Sequence, residues 1–314
     1  MGLSEKMVTD GERRAGVVGM FDGVHLGHRF LIDTLKKEAA ARGMVPMVFT
    51  FPFHPLSVVN PAIAPKLLSE PVEKLSLLVE AGISVNQTGF IVFDEELRHL
   101  RASEFLGMLH ERYNVDFILR GFNNRFGTER DLTSEDYRRI AADCGIELMD
   151  AACFRHSEDN EPLPVSSSRI REALATGDIE QANLMSGHPY SLTGTVVGGK
   201  RLGRTLGFPT ANIFPPHPSK LIPARGVYVC VATVDGHRRK AMVNIGTRPT
   251  VDGPHAVPSI EAHIIDFEGD IYGKDITLDF YHRLRDEIRF SSTDELASQL
   301  EKDRDSTRQF SIPR

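Results

Sequence analysis

The chain has 314 residues, 41% of them hydrophobic and 25% charged, with a formal net charge of -6. That length allows two domains of roughly 100 to 200 residues each, the ordinary composition excludes a disordered or fibrous chain, and the acidic balance excludes a protein whose main task is coating nucleic acid. Cys144, Cys153 and Cys230 form no CxxC pair, which excludes a disulfide framework or a structural zinc site and points to reduced thiols.

In chain order, the N-terminal "MGLSEKMVTDGERRAG" is polar and without a signal-peptide core, and no later stretch approaches the ~18 apolar residues of a membrane span. A cytoplasmic chain with no membrane partner and no nucleic-acid partner is expected. "AGVVGMF" then reads as a buried strand, "RFLIDTLKKEAAARG" as a helix ended by Gly43, and "VPMVFTF" as a second buried strand. The helix-like "PVEKLSLLVEAG", then "ISVNQTGFIVF", "ASEFLGMLHERY" and "NVDFILRGF", continue an alternation that implies βαβ units and a parallel sheet covered on both faces. A single helix is expected over "SRIREALATGDIEQANLMSG", closed by Gly187 and Pro189.

From Ser191 the texture changes to short strands between turn residues: "SLTGTVV", "GVYVCVATV", "KAMVNIGT", "SIEAHIIDF" and "DITLDFYHRL". These predict a small closed or nearly closed antiparallel barrel. Ser292 and Glu295 have capping-box spacing ahead of a final helix. Two domains are expected, 1–187 and 188–314.

Two stretches could carry chemistry. "FDGVHLGHRF" sits at a strand-to-helix turn, where free N–H groups favour anions, so His25 and His28 could face a phosphate. A metal pair would need a third ligand, for which Asp22 is the only local carboxylate, and two surface polar groups are the plain alternative. "GGKRLGRTLGFPTANIF" is a glycine-rich basic loop without Walker A spacing. Thr210 and Asn212, two apart, fall on one face of an extended strand and offer neutral oxygens suited to a magnesium ion. Periodicity alone makes Glu261 a solvated strand residue opposite Ile260, Ala262 and Ile264, and Ser167 and Ser168 are good helix N-caps.

"FDGVHLGH" resembles the HxGH nucleotidyltransferase signature of the bacterial bifunctional riboflavin kinase/FAD synthetase family. "TFPFHP", "RGFNNRFG" and "VSSSRIREAL" follow in that family's order, and "GFPTAN", "NIGTRPTV", "DFEGDIYGKDI" and "RLRDEIRFSSTDELASQLEKD" extend the match from about residue 15 to 303. The resemblance implies a Rossmann-like α/β nucleotidyltransferase domain followed by a riboflavin kinase-like barrel. It implies ATP-dependent phosphorylation of riboflavin to FMN, and adenylylation of FMN to FAD with release of pyrophosphate. By position it places Phe21, Gly23, His25, His28, Asn123, Ser166, Ser167 and Arg169 on the nucleotide of the first domain. In the second it places Gly199, Gly203, Arg204, Gly207 and Thr210 on ATP, Thr210 and Asn212 on Mg2+, Glu261 as general base, and Arg285 and Glu287 near the flavin.

The sequence departs from the family pattern at Met20, Pro52, Phe53 and Asn124. These departures keep open a riboflavin kinase whose adenylyltransferase domain is impaired. A non-catalytic flavin-binding protein is a third reading, and the oligomeric state is open.

Overall fold

The computed structural model describes residues 11–122, 124–154, 156–158, 161–163, 165–198, 207–215, 217–246 and 258–313. Asn123, Gly199, Gly203 and Arg204, assigned to nucleotides by the resemblance, lie outside the described residues. The chain divides into two compact units between Ser167 and Ser168.

The first unit is built on five parallel strands, β1 (Arg14–Val18), β2 (Val45–Thr50), β3 (Thr88–Phe90), β4 (Val115–Arg120) and β5 (Glu147–Asp150), in the order β3-β2-β1-β4-β5. Helices α1 (Leu26–Arg42), α2 (Leu56–Val59), α3 (Pro71–Glu80), α4 (Glu95–Arg98), α5 (Ala102–Tyr113) and α6 (Ser134–Asp143) connect them. All five residues of β1 are buried, because in a sheet covered on both faces alternate side chains enter two different cores. Val17, Val48, Phe117 and Leu119 pack with Ile32 and Leu35 of α1 and Leu78 of α3. Val18, Met47, Phe49 and Ile118 pack with Phe105, Leu106 and Leu109 of α5 and Tyr137 of α6. Helix α1 ends as its sequence predicts, with Gly43 at φ 62° and Met44 N–H bonded to Ala39 C=O at 2.9 Å, a glycine-closed Schellman turn.

The strand order reverses between β1 and β4, and in such sheets ligands gather beyond the carboxyl ends of the strands at that point. The "FDGVHLGH" loop leaves β1 there, "FPFHP" leaves β2, and "GFNN" leaves β4. A further strand pair, β6 (His156–Glu158) and β7 (Glu161–Leu163), follows β5.

The second unit is a closed antiparallel barrel, β8 (Tyr190–Val197), β9 (Ala211–Phe214), β10 (Gly226–Val234), β11 (His237–Gly246), β12 (Ser259–Ile264) and β13 (Asp275–Arg285), in the order β10-β11-β12-β9-β8-β13. The expected single helix over residues 168–187 is two helices, α7 (Ser167–Thr176) and α8 (Ile179–Ser186). Gly177 takes φ 83°, and Asp178 caps α8 by accepting the Gln181 N–H at 3.1 Å. A left-handed glycine followed by an N-cap residue ends one helix and begins another, which overrides the continuous apolar spacing. Asn183 of α8 donates to Phe280 C=O at 2.8 Å and accepts the Tyr190 N–H at 2.7 Å, tying the middle of β13 to the start of β8.

Register separates the inside of the barrel wall from its outside. Tyr228, Cys230, Val243, Ile260, Ala262, Leu278 and Phe280 are buried at one parity. At the other parity Arg285 pairs with Val227, Val227 with Asn244, Asn244 with Glu261, and Glu261 with Asn212. One row thus runs across five strands on the outer face. Helix α9 (Thr293–Gln309) packs against β11; Ser292 caps it by accepting the Glu295 N–H at 3.2 Å, while the Glu295 carboxylate takes the Ser291 N–H at 3.0 Å.

Candidate active sites

In the first unit, His25 is the N-cap of α1, its Nδ1 accepting the His28 N–H at 3.3 Å. An accepting Nδ1 carries no hydrogen, so neutral His25 holds its proton on Nε2 as a donor. The His25 and His28 rings stack with centroids 3.6 Å apart. Gly27 makes the stack possible, since a Cβ there would stand 3.2 Å from His25 Cε1. His28 Nδ1 is buried without a hydrogen-bond partner. Burial first, then the proximity of His25 and Lys74, holds the His28 pKa well below its ordinary value.

The loop carrying these rings is strained and heavily tied. Phe21 (φ 46°) and Val24 (φ 35°) are both left-handed non-glycine residues, a cost of about 1 to 3 kcal/mol each that persists only where surroundings enforce it. Asp22, 1% exposed, accepts the N–H groups of Leu68 and Ser69, both at 3.0 Å. Gly23 N–H donates to Ser69 Oγ at 2.9 Å, and Ser167 Oγ donates to Asp22 C=O at 2.9 Å. Phe21 and Gly23 are therefore buried parts of the loop's frame.

Ser166 is half-buried beside Ser167, and Arg169 is an exposed residue of α7 in the second unit. Asn124, where the family pattern has an aromatic residue, donates its amide to Val18 C=O at the end of β1, bridging the two strands at the reversal point. His54 Nδ1 accepts the Leu56 N–H at 3.1 Å, and Phe53 is 40% exposed.

In the second unit a cavity of about 260 Å³ lies between the outer face of the barrel and α9. Thr210, Asn244, Glu261, His263, Arg285 and Glu287 supply its polar wall; Phe208, Val227, Met242, Leu296 and Leu300 supply apolar surface. Glu261 is half-buried: the face opposite the barrel interior is roofed by α9 rather than open to water. Asn212, 8% exposed, is its register partner. Thr210 also borders a second cavity of about 620 Å³, lined by Val196, Ala262, Phe267, Asp270 and Tyr272. Gly207 is exposed at φ 82°.

Arg285 reaches the first cavity with its guanidinium engaged by Asp303 of α9, at 2.9 Å from Nε and 2.7 Å from Nη2. His263 Nδ1 lies 2.9 Å from Pro209 C=O, and burial lowers its pKa, so Nδ1–H donates to that carbonyl just before Thr210. Asn244 in the cavity wall and Lys74 behind the histidine loop are residues that motif reading did not single out, whereas His263 is matched together with Glu261. Asn244 was findable from its place in "NIGTRPTV", next to the Glu261 strand.

Residues 9–169 match the FAD synthetase family and residues 186–311 the riboflavin kinase family. The chain is 34% identical over 295 residues to the bifunctional riboflavin kinase/FMN adenylyltransferase of Escherichia coli strain K12, covering 93% of this chain and 91% of that protein. It is 35% identical over 293 residues to the protein of the same description from Bacillus subtilis strain 168, covering 91% and 89%. A Streptococcus pneumoniae crystal structure described as a macrolide-efflux protein superposes with a TM-score of 0.85 at 30% identity, covering 98% of this chain and 97% of that one. Among the described residues no helix is long and apolar enough to cross a membrane.

Proposed function

The chain belongs to the family of bifunctional riboflavin kinases/FMN adenylyltransferases, and from that premise we propose how its residues divide two reactions. It is a transferase that phosphorylates riboflavin to FMN and adenylylates FMN to FAD, releasing pyrophosphate, with ATP as co-substrate in both steps. The adenylyltransferase is assigned to the first unit and the kinase to the barrel unit, in keeping with the family matches at 9–169 and 186–311; residues 168–187, expected in the first domain, group with the barrel. Its substrates are small molecules, and its place is the cytoplasm, in keeping with reduced thiols and the lack of a membrane-crossing helix among the described residues.

The observation that carries the kinase reading is that Thr210 borders two cavities while Glu261 lines the smaller one. Riboflavin takes the half-apolar cavity under α9, and ATP the larger one beyond Thr210. The Glu261 carboxylate accepts the proton of the riboflavin primary alcohol as its oxygen bonds to the γ-phosphorus and the bond to ADP breaks. Arg285, fixed by Asp303, and Glu287 border the flavin. Thr210 and Asn212 present neutral oxygens close to this carboxylate, and no cluster of three His, Cys, Asp or Glu occurs among the described residues. That donor set fits Mg2+ whose coordination is completed by nucleotide phosphates. Bound there, the ion would neutralise phosphate charge.

In the first domain an FMN phosphate oxygen attacks the α-phosphorus of ATP, and the bond to pyrophosphate breaks. His25 donates from Nε2, and His28, kept neutral by burial, faces the same nucleotide at the N-terminus of α1, whose free N–H groups favour the anion. Ser166, Ser167 and Arg169 serve the start of α7, with Ser167 tying the histidine loop. The test is a time course of riboflavin, FMN and FAD with ATP and Mg2+. FMN should appear first and FAD and pyrophosphate second; FMN without FAD or pyrophosphate would leave the kinase alone.

A further inference from the structure

Lys74 belongs to neither reaction as derived above, and its side chain is 0% exposed. A fully buried ammonium is expensive unless oxygens surround it. Its Nζ donates to Phe51 C=O at 2.7 Å and to Met20 C=O at 2.8 Å, with Thr50 Oγ1 at 3.5 Å. Thr50 Oγ1 itself donates to Met20 C=O at 2.9 Å. The two carbonyls belong to different loops: Met20 opens the strained histidine loop beyond β1, and Phe51 opens "FPFHP" beyond β2. Asp22, two residues after Met20, is the nearby carboxylate that favours the charged ammonium, against burial, which lowers the Lys74 pKa to about 8. A plain core position of α3 would be filled by leucine, as Leu78 is one turn later.

We infer that Lys74 is a positioning residue of the adenylyltransferase, its ammonium fixing the histidine loop and the "FPFHP" loop against each other so that His25 and His28 meet the triphosphate in register. The inference rests on the reading of His25 and His28 as nucleotide contacts. Lys74 touches no reacting atom; it acts through Met20 and the backbone that leads to the two rings. It also adds a fixed positive charge behind His28, whose charged neighbours are His25 on the same loop and Lys74 on α3.

The full chain carries its own control, because both reactions can be measured on one preparation. Lys74→Met is expected to lower kcat for FAD formation at least tenfold, with KM for FMN and ATP within about threefold and riboflavin kinase turnover unchanged. Thr50→Val, which removes one oxygen without changing volume, should give a smaller loss of the same pattern. In Lys74→Met the His28 titration followed by NMR should move to higher pH, and Lys74→Arg, which keeps the charge and its donors, should hold it nearer its original position and restore part of the FAD turnover, a rescue that loosened packing alone does not give. Undiminished kcat in Lys74→Met, a rise in both KM values, joint loss of both activities or an unmoved His28 titration would each overturn the inference. His28→Ala is run beside them: if it leaves FAD formation intact, the underlying site reading fails, whereas loss in His28→Ala with full activity in Lys74→Met removes only the role of Lys74.

Discussion

Glu261 stands at the middle of a polar row, between Asn212 and Asn244, on a wall whose other parity is all core. Glu261→Gln keeps the shape and removes the proton acceptor. It is expected to lower FMN formation about 10²- to 10⁴-fold while added FMN is still converted to FAD, as chromatography of the flavins will show. His28 is the second informative residue. Burial depresses its pKa in the fold, so below the ordinary value of about 6.5 the unfolded chain binds more protons than the native one. Stability present at neutral pH is therefore lost as pH falls from about 6.5 toward the lowered native value. Calorimetry from pH 7 to 5 should show a falling melting temperature, with a shallower fall in His28→Gln. His25 and His28 were legible as a pair because of their spacing at a strand-to-helix turn. Their stacking was not, because it depends on how the His25 ring folds back over Gly27. Lys74 was not legible at all: in "PVEKLSLLVE" a lysine reads as solvated, and only the docking of α3 against two loop carbonyls buries it.

Element by element, the strands of the second unit were legible because β-branched and aromatic runs there end in turn residues, and "GVYVCVATV" coincides with β10. Helix α6 was missed: it starts with the Thr133 and Asp136 capping box but buries only Tyr137 and Ala141, too thin an apolar stripe to stand out. The roof over the kinase cavity depends on one helix and one ion pair. Asp303 is 4% exposed and takes Arg285 through two nitrogens, with Gln299 also donating to it at 2.8 Å. Asp303→Ala leaves a largely buried guanidinium without its partner, so a loss of about 3 kcal/mol is expected. The KM for riboflavin should rise more than kcat falls, since α9 closes the cavity while Glu261 stays in place. Denaturation and steady-state kinetics of this variant check both. In the first unit, Gly127 has φ 80°, and a Cβ there would lie 2.2 Å from Ala102 N. Gly127→Ala should therefore lower the melting temperature of that unit while leaving kinase turnover intact.

At the scale of the molecule, each unit has its own core and its own chemistry, so the two activities should be separable by single substitutions. Equal amounts of Glu261→Gln and His28→Ala protein should convert riboflavin to FAD together, through FMN released into solution, where each alone stalls; chromatography of the mixture is the measurement. Sequence texture revealed the two architectures because alternating helices and strands give one kind of sheet and a run of short strands gives the other. It could not show that residues 168–186 fold with the barrel, because that follows from the Asn183 amide and its partners on β8 and β13. Those two strands, which close the barrel, also set a schedule for synthesis. The parallel sheet is complete once Asp150 has been made, but β8 cannot find its neighbour β13 until translation reaches Arg285. At ribosomal speeds of about 5 to 20 residues per second that is a wait of roughly 4 to 18 seconds. During that interval the nascent kinase domain has an open strand edge for chaperones or aggregation to meet, while the adenylyltransferase domain ahead of it can already be folded.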